Sequence, residues 1–313
     1  MKMKRTFILL CLAAMPFMSK AQEMLSTLDF FYAGQSKNRR MFIVKDGKVV
    51  WSYDDPSGKG EISDAVLMTD GHILMAQQYS IREIDREKNI VWEMEAPQGT
   101  EIHTIQPIGK NHVVYVRNGH PAKAIIAHIP DMTTIREFDL PCSEKGSVHG
   151  QFRNAHLTSK GTLLVANMAM NFVAEYDETG RELNRWELFG PWSASELSNG
   201  NYIMVGRKGP VKEINAKGET VWEISTTDYG ATQPQKAYRL KNGNTVISNW
   251  FNEWDKVPVD LSNPPVQAIE ISRDKKLVRT LSSWVNPNLG PATTIQPLTQ
   301  IVNRKKCHFG KIK

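Results

Sequence analysis

Short apolar runs separated by glycine-containing turns recur along the whole chain. The recurring pattern is clear in residues 65–75, 196–205 and 239–248, where an Asp-Gly or Asn-Gly pair separates two apolar segments. Such pairs favour tight hairpins because these residues tolerate positive φ. The alternation of apolar and polar side chains around them is typical of strands with one buried face. A unit of about 40–45 residues with four short strands predicts a β-propeller.

A second turn in most units leads into a strand that ends in an aromatic residue. These anchors are Trp51, Trp92, Phe138, Trp186 and Trp222, and the last unit has lost its aromatic residue. One aromatic side chain per unit at the same strand position usually packs between neighbouring blades. We therefore predict a structural role for these anchors, and a sugar-stacking platform is the weaker interpretation.

The two ends of the chain predict how the ring closes. Residues 41–51 contain outer strands without an inner pair, whereas residues 292–298 resemble an inner strand without outer partners. Together they would form one composite blade. With five whole units, this predicts an all-β, six-bladed propeller of four-stranded antiparallel blades, with seven blades as the alternative.

The repeat resembles that of a known group of proteins. A Leu-x-Asn-Gly-Asn turn at residues 240–244, and a Gly-Lys-x-Val-Trp turn at residues 47–51, are similar to the quinoprotein-type (pyrroloquinoline-quinone-like) propeller repeats of secreted bacterial proteins. The resemblance implies the architecture over nearly the whole mature chain. It does not imply one chemistry, because such repeats occur in dehydrogenases, assembly scaffolds, sulfotransferases and glycan-degradation proteins.

The N-terminus has the features of a secretory signal. A basic head is followed by about 13 apolar residues and a small residue, Ala21, at the expected cleavage site. We predict a signal peptide over 1–21, one propeller domain over 22–303 and a basic tail over 304–313, for which disorder is one interpretation. No stretch approaches the roughly 20 apolar residues of a transmembrane helix. The predicted location is periplasmic or secreted, and the Ala-Gln ending resembles exported Bacteroidetes proteins with a glycan-handling role.

The net charge of +6 is misleading. Four cations belong to the signal and five to the tail, so the body of the protein carries −3. A mildly acidic body gives no argument for a nucleic-acid partner. Beyond the signal only Cys142 and Cys307 remain, and they either form a disulfide or stay as two free thiols.

Candidate site residues come from the starts of the inner strands, which meet at one mouth of the central channel. The first column of positions reads Ser63, His103, Arg153, Trp192, Gln235 and Thr293, and the next reads Asp64, Thr104, Asn154, Ser193, Lys236 and Thr294. A packing layer would repeat one small or apolar residue. These columns are polar and varied, which favours a ligand pocket over a channel whose lining residues only contact water.

Loops on the same face supply a second set of candidates. They contain Arg117, His120, Arg207, Lys208, Trp250 and Glu253. The last two open a long insertion before Val266, and long ordered loops in compact domains are often functional. Tryptophan in such a loop either stacks on sugar rings or only fixes the loop.

Together the basic side chains predict a local positive pocket. Arginine suits carboxylate or sulfate because its planar fork donates two parallel hydrogen bonds. We therefore favour an acidic oligosaccharide ligand, carrying uronate or sulfate. If the protein is an enzyme, a glycan lyase or glycoside hydrolase is favoured, with His103 or His149 as the base and Arg153 as the clamp. Substrate contacts are predicted for Asp64, Arg117, His120, Asn154, Trp192, Arg207, Lys208, Gln235, Trp250 and Glu253.

Several established motifs are missing from the chain. There is no nucleophile elbow, phosphate loop, dinucleotide fingerprint or zinc-protease motif. Only Asp64 and Glu253 are plausible pocket acids, so a glycosidase carboxylate pair is not assigned. We predict no metal site and no cofactor, although a divalent cation or a quinone stays open. The alternatives are a non-catalytic scaffold for a protein partner and an axial-histidine enzyme resembling sulfotransferases or oxidoreductases.

Overall fold

The computed structural model describes residues 22–34, 39–251 and 258–313. The predicted signal peptide lies outside the described residues. The described chain forms six sheets, each with four consecutive antiparallel strands, arranged as a six-bladed propeller. The predicted fold class and blade number are therefore confirmed. No helix within the described ranges is long and apolar enough to cross a membrane.

Five blades are continuous in sequence. Each begins with its innermost strand at the axis and ends with its outermost strand at the rim. Blade 2 consists of Asp64–Leu67, Ile73–Ala76, Ser80–Ile84 and Ile90–Glu95, and blade 3 of Glu101–Ile108, His112–Asn118, Ala122–His128 and Thr134–Leu140. Blade 4 consists of Phe152–Leu157, Leu163–Asn167, Phe172–Tyr176 and Glu182–Glu187, and blade 5 of Pro191–Glu196, Tyr202–Gly206, Pro210–Ile214 and Thr220–Ser225. Blade 6 consists of Pro234–Arg239, Thr245–Asn249, Ala268–Ile271 and Leu277–Leu281.

Blade 1 closes the ring. Its innermost strand is Ala292–Pro297 from the C-terminal region, and its other three strands are Phe30–Gly34, Arg40–Lys45 and Lys48–Asp54. The predicted composite blade is confirmed, but the expected loss of an inner pair is wrong. The N-terminal segment lacks only the innermost strand, because the apolar run Phe30–Gly34 pairs directly with Ala292–Pro297. A short strand, Gln22–Glu23, adds to the outer edge of blade 6.

The aromatic anchors pack between blades, as predicted. Trp51 donates its indole N–H to the carbonyl of Arg86 in the next blade, at 3.0 Å, and Trp222 does the same to Arg273. Phe138 covers the turn of the following blade so closely that a Cβ atom at Gly180 would lie 2.5 Å from its ring. Trp51, Phe138 and Trp222 thus hold the outer turns of their neighbouring blades in place, whereas the indole of Trp92 donates to Glu83 of its own blade.

A second repeated feature was missed in the sequence. Blades 2, 4, 5 and 6 carry a buried glutamate on the third strand: Glu83, Glu175, Glu213 and Glu270. Each accepts a hydrogen bond from the residue that follows the turn glycine in the same blade, such as Asn201 to Glu213 at 2.8 Å. We call these four residues the repeat glutamates. Because a buried carboxylate needs partners, they fix the inner turn of the blade against its third strand.

The C-terminal residues 304–313, for which disorder was considered, pack on the ring. Arg304 is buried and pairs with Glu83 at 2.5 Å, and Phe309 is fully enclosed. The segment crosses the turns between the first two strands of blades 2, 3 and 4, where the N–H of Gly109 donates to the carbonyl of Cys307. Cys142 and Cys307 are both free thiols.

Candidate functional site

The starts of the inner strands meet at one end of the channel, together with the loops between blades. We call this end the mouth. Glu61 and His149 come from the loops that precede blades 2 and 4, whereas Glu101, His103 and Arg153 lie at or near the starts of the innermost strands of blades 3 and 4. Their side chains form one hydrogen-bonded group, the mouth cluster.

The centre of the mouth cluster is a carboxylate shared by two imidazoles. One oxygen of Glu101 lies 2.8 Å from Nε2 of His103 and 2.8 Å from Nδ1 of His149. The two rings meet edge to face with centroids 5.0 Å apart. His103 is fully buried, whereas the side chain of His149 is 44% exposed. Of the two predicted bases, only His149 is therefore open to a ligand.

A second carboxylate lies on the other side of His103. Glu61 is fully buried and accepts from Ser63 Oγ and from Arg153 Nη2, both at 2.8 Å. Ser63 Oγ also lies 2.8 Å from Nδ1 of His103. The predicted arginine clamp is thus already paired with a carboxylate, and the mouth cluster holds two acids that the sequence analysis did not assign.

The electrostatics keep both acids charged. Burial by itself raises the pKa of Glu61, but Arg153 and then His103 outweigh it and lower that pKa to about 2. Burial also opposes ionisation of Glu101, yet hydrogen bonds from His103, His149 and Gln78 hold its pKa well below the usual range. The mouth cluster therefore contains two ionised acids beside Arg153 and is not the purely positive pocket that was expected.

Hydrogen bonds join Ser63 to His103 and His103 to Glu101. This is the order of nucleophile, base and orienting acid in a serine hydrolase. A serine hydrolase also needs hydrogen-bond donors where negative charge develops on the substrate. Here the Glu61 carboxylate lies beside the serine oxygen and would repel an oxyanion. His103 is also fully buried. The arrangement therefore disfavours nucleophilic catalysis by Ser63.

Three members of the mouth cluster could together hold a metal ion. Donor atoms of Glu61, His103 and His149 all lie within 4.8 Å of one another, and two imidazoles with a carboxylate suit zinc or a similar divalent metal. The Arg153 guanidinium, however, lies 2.8 Å from Glu61, 3.3 Å from Nε2 of His149 and 3.5 Å from Nε2 of His103. A cation of the protein already contacts all three residues, so they fit a metal only if Arg153 moves away.

Below the mouth cluster, a polar network joins four inner strands. Asp64 is fully buried and accepts from Thr104 at 2.8 Å, from Asn154 at 3.2 Å and from Lys236 through a short ion pair. Blades 2, 3, 4 and 6 are tied together through this one carboxylate. Asp64 and Asn154, predicted to contact substrate, therefore lie one layer deeper than the mouth and already bind each other.

The remaining predicted residues lie around the mouth at different depths. Trp192 is half-buried, with the Arg153 guanidinium 4.6 Å from its ring centre, and Gln235 is buried. Trp250 and Arg117 are half-buried, whereas His120, Arg207 and Lys208 are exposed. Glu253 lies outside the described residues. The structure thus brings His103, His149 and Arg153 into direct contact and leaves the exposed loop cations apart from them.

Several N–H donors near the mouth have no hydrogen-bond partner in the described part of the chain, and three of them share one column of inner-strand positions. These three are Arg153 Nε, Trp192 Nε1 and Gln235 Nε2, from three successive blades. Buried donors without partners are rare in folded proteins, where water or a ligand usually satisfies them. Oxygen acceptors are therefore the ligand groups that suit this side of the mouth.

An apolar rim surrounds the polar centre. Five loops of the same face expose large hydrophobic side chains, between 40% and 70% accessible: Tyr79, Met170, Phe189, Leu261 and Val285. Scattered exposed apolar residues are ordinary, but a ring of them around one site is a feature of interaction surfaces. The mouth is thus polar within and apolar at its edge.

The sequence analysis missed Glu61 and Glu101 for different reasons. Glu61 lies in a loop two residues before the aligned column, where spacing carries no periodic signal. Glu101 starts a strand two residues before His103, and this Glu-x-His spacing places both side chains on one face of the strand. That spacing was a usable signal, whereas Glu61 could be found only from the structure.

Comparison with solved structures shows what this chain is similar to. A protein of unknown function from Bacteroides caccae is 23% identical with a TM-score of 0.73, over 88% of this chain and 100% of that chain. Virginiamycin B lyase from Staphylococcus aureus, as a catalytically inactive histidine-to-alanine variant with quinupristin, is 16% identical with a TM-score of 0.57, over 82% and 87%. The WD40 propeller domain of Doa1 is 12% identical with a TM-score of 0.54, over 70% and 71%.

These likenesses show the propeller fold alone, because each identity is below 25%. No protein-family model matches the chain, and comparison with curated proteins finds no relative. The propeller part of the resemblance noted in the sequence is therefore confirmed. The quinoprotein-type repeat, the export of the protein and its Bacteroidetes character stay predictions.

Proposed function

We propose that the mouth binds an acidic oligosaccharide and that His149 acts there as a base. The observation that carries the proposal is the shared Glu101 carboxylate, which orients both imidazoles while leaving one of them open to a ligand. A carboxylate that fixes an imidazole in one tautomer is the usual support of a catalytic histidine. His103 then serves as a positioning residue between Glu101 and Glu61.

The hydrogen bonds define which nitrogen of His149 would take a proton. Its Nδ1 faces the ionised Glu101 and must donate to it, so Nε2 carries the lone pair. That lone pair accepts from Arg153 at 3.3 Å. An anionic ligand that draws the guanidinium towards itself would release Nε2 as the base.

The donors that lack partners support recognition of an oxygen-rich anion. Arg153 Nε, Trp192 Nε1 and Gln235 Nε2 offer N–H groups to a carboxylate or sulfate, and Arg207 and Lys208 add exposed positive charge at the rim. The indole of Trp192 also presents an aromatic surface on which a sugar ring can stack. The two ionised acids of the cluster keep the site from binding every anion by charge alone.

The reaction that fits these groups is β-elimination at a uronate. His149 removes the proton from the carbon next to the carboxylate, and the electron pair of that C–H bond forms a C=C bond. The glycosidic oxygen leaves with the electrons of its C–O bond and takes up a proton. The solved structure of an inactive histidine variant of virginiamycin B lyase shows that a propeller of similar fold can depend on a histidine for lyase activity.

The test uses oligosaccharides that contain glucuronate or galacturonate. Titration calorimetry measures binding, and ultraviolet absorbance measures the unsaturated product. We expect His149→Ala to lower turnover at least 100-fold with little change in binding, because general-base catalysis typically contributes 10²–10⁴-fold. Arg153→Lys should weaken both binding and turnover, since a lysine side chain cannot donate two parallel hydrogen bonds as the planar guanidinium does.

A matched control is His128→Ala, since the side chain of His128 is 43% exposed and is paired with a carboxylate, Asp131, far from the axis. It should leave binding and turnover unchanged. The proposal is wrong if no uronate or sulfated oligosaccharide binds, or if turnover survives His149→Ala. Binding without any turnover would contradict the role of His149 as a base and leave only lectin-like binding of the oligosaccharide.

The apolar rim favours a second candidate function, a scaffold that docks a protein partner on the same face. Phe189 is 62% and Val285 is 70% exposed, as expected for side chains that become buried on association. The double change Phe189→Ser with Val285→Ser should then abolish co-purification of one defined partner, whereas His149→Ala should not. Loss of oligosaccharide turnover in the His149 variant with intact partner binding would show that both functions share the face.

A further inference from the structure

We propose a second ligand site in the half of the channel opposite the mouth, for a small neutral polyhydroxylated molecule such as a monosaccharide. A cavity of about 360 Å³ lies there between the inner strands of blades 4, 5 and 6 and the C-terminal segment around Gln300. Its volume is at the lower end of that of natural ligand pockets and equals that of about 12 water molecules in the liquid.

The cavity is separate from the mouth cluster. The network around Asp64 lies between them and joins Thr104, Asn154 and Lys236 across the channel. Asn154 and Lys236 also line the cavity, so this network forms its inner wall. At the other end, Ser198, Lys241 and Thr299 line the cavity and are exposed, which places its opening on the far face of the ring.

Several polar groups in the cavity wall lack a partner among the residues that the structure describes. Neither ring nitrogen of His156 makes a hydrogen bond, nor does the hydroxyl of Tyr238. Gln106 is 92% buried, and its amide donates to the carbonyl of Ile105 while its own oxygen accepts nothing. Lys236 uses one of its three N–H groups for Asp64. Gln106 is buried, whereas the side chains of His156, Lys236 and Tyr238 are half-buried in the cavity wall, so a ligand that carries hydroxyl groups would supply their missing partners.

The charge state of the wall selects the ligand class. Burial lowers the pKa of His156 to about 4, so its imidazole is neutral near pH 7. Burial also raises the pKa of Tyr238 and keeps its hydroxyl protonated. Of the cations that line the cavity, Lys236 pairs with Asp64 and Arg239 pairs with Glu213, and Lys241 lies at the exposed opening, so the inner wall offers no unpaired cation to an anion. Neutral groups that both donate and accept match hydroxyl groups of a ligand.

The rest of the wall is apolar. Val66, Leu197 and Leu240 line it beside the polar groups. A sugar or polyol presents hydroxyls at its edges and C–H groups on its faces, so it matches such a mixed wall. This site does not depend on the proposed function of the mouth, because none of its wall residues belongs to the mouth cluster.

The experiment titrates the full-length mature protein with a panel of neutral monosaccharides and polyols: glucose, galactose, mannose, xylose, N-acetylglucosamine, glycerol and inositol. We expect at least one of them to bind. Tyr238→Phe should weaken its Kd about tenfold by removing one hydroxyl, and His156→Phe should abolish binding because the larger apolar ring removes two polar atoms and fills space. The matched control Tyr79→Phe, an exposed tyrosine at the mouth, should leave Kd unchanged.

Two outcomes would overturn the proposal. One is that no member of the panel binds. The other is that binding is unchanged in both cavity variants or is lost in Arg153→Lys, which would place it at the mouth. Thermal unfolding of each variant identifies any loss of binding that comes from misfolding, and Tyr238→Phe, which changes a single atom, keeps the test valid if His156→Phe does not fold.

Discussion

Two sets of buried glutamates in this propeller differ in what surrounds them. The repeat glutamates recur on the third strands and accept mainly from side chains of their own blade, such as Asn201 to Glu213. Glu61 and Glu101 occur once each and join residues of different blades through His103 and Arg153. The first set has the same local role in four of the six blades. The second set occurs at one place in the ring, where two imidazoles share one carboxylate and one of them, His149, is 44% exposed.

The difference teaches how to separate structure from function in a repeat protein. A buried charge that recurs with the repeat has neutral or basic partners supplied by the same repeat, so its role is stability. A buried charge that breaks the repeat draws partners from several blades and depends on closure of the ring. The comparison would fail if changes in the two sets had the same consequences, and the following predictions test it.

The largest expected effect is on stability at a repeat glutamate. Glu213 accepts from Asn199, Asn201, Arg239 and Arg273. Glu213→Ala removes the buried carboxylate that all four share and leaves the largely buried guanidinium of Arg239 without its ion-pair partner, so we expect a loss of about 3–5 kcal/mol in the free energy of unfolding. Chemical denaturation measures it. A loss below about 1 kcal/mol would show that the repeat glutamates do not support the blades.

The next effect is a pH dependence carried by Glu61. Its folded-state pKa, about 2, is below the ordinary value of 4.5, so its contribution to stability is present above pH 4.5 and is lost as the pH falls towards 2. A shift of this size corresponds to about 3 kcal/mol. Glu61→Gln should therefore flatten the fall in stability between pH 4.5 and 2 relative to the unchanged protein. Parallel curves for the two proteins would contradict the assignment.

A smaller effect is expected at the turn that Phe138 covers. Gly180 has φ +85° and no room for a Cβ atom, whereas Gly200 has φ +80° with open space around it. Gly200→Ala should cost about 1 kcal/mol for the left-handed backbone alone, and Gly180→Ala about 2 kcal/mol or more because of the added clash. Thermal or chemical unfolding of the pair measures the difference. Equal costs would mean that the anchor does not constrain the turn.

The smallest expected effect concerns the metal affinity of the mouth. Arg153→Ala removes the guanidinium that contacts Glu61, His103 and His149 and leaves a donor set suited to zinc. We expect the variant to bind Zn²⁺ or Co²⁺ at least tenfold more tightly than the unchanged protein, as measured by calorimetry and by the visible spectrum of Co²⁺. As a control, Arg181→Ala removes an exposed arginine and should leave the affinity for Zn²⁺ and Co²⁺ unchanged. Equal affinity in both variants would show that Arg153 does not take the place of a cation.

The sequence predicted the parts of this protein that depend on local physics. Turn glycines, strand alternation and anchors such as Trp51 and Trp222 each repeat because every blade meets the same packing problem. Their positions therefore predicted six blades and a ring closed by the chain ends. The sequence also contains a repeated pattern that the sequence analysis missed. At the end of the third strand, a glutamate is followed by Ile or Tyr and then by Asp, Asn or Ser, as in Glu83-Ile84-Asp85.

The partners of each functional side chain were decided only by the tertiary structure. The column alignment selected His103 and Arg153, but it could not show that Arg153 is paired with Glu61 or that Asp64 is held by Lys236, 172 residues away. Ring closure sets such contacts, since it brings the starts of six inner strands to one axis regardless of their separation in sequence. Local periodicity therefore determined the ring and its candidate positions, whereas charge pairing across the axis determined which of them remain available to a ligand.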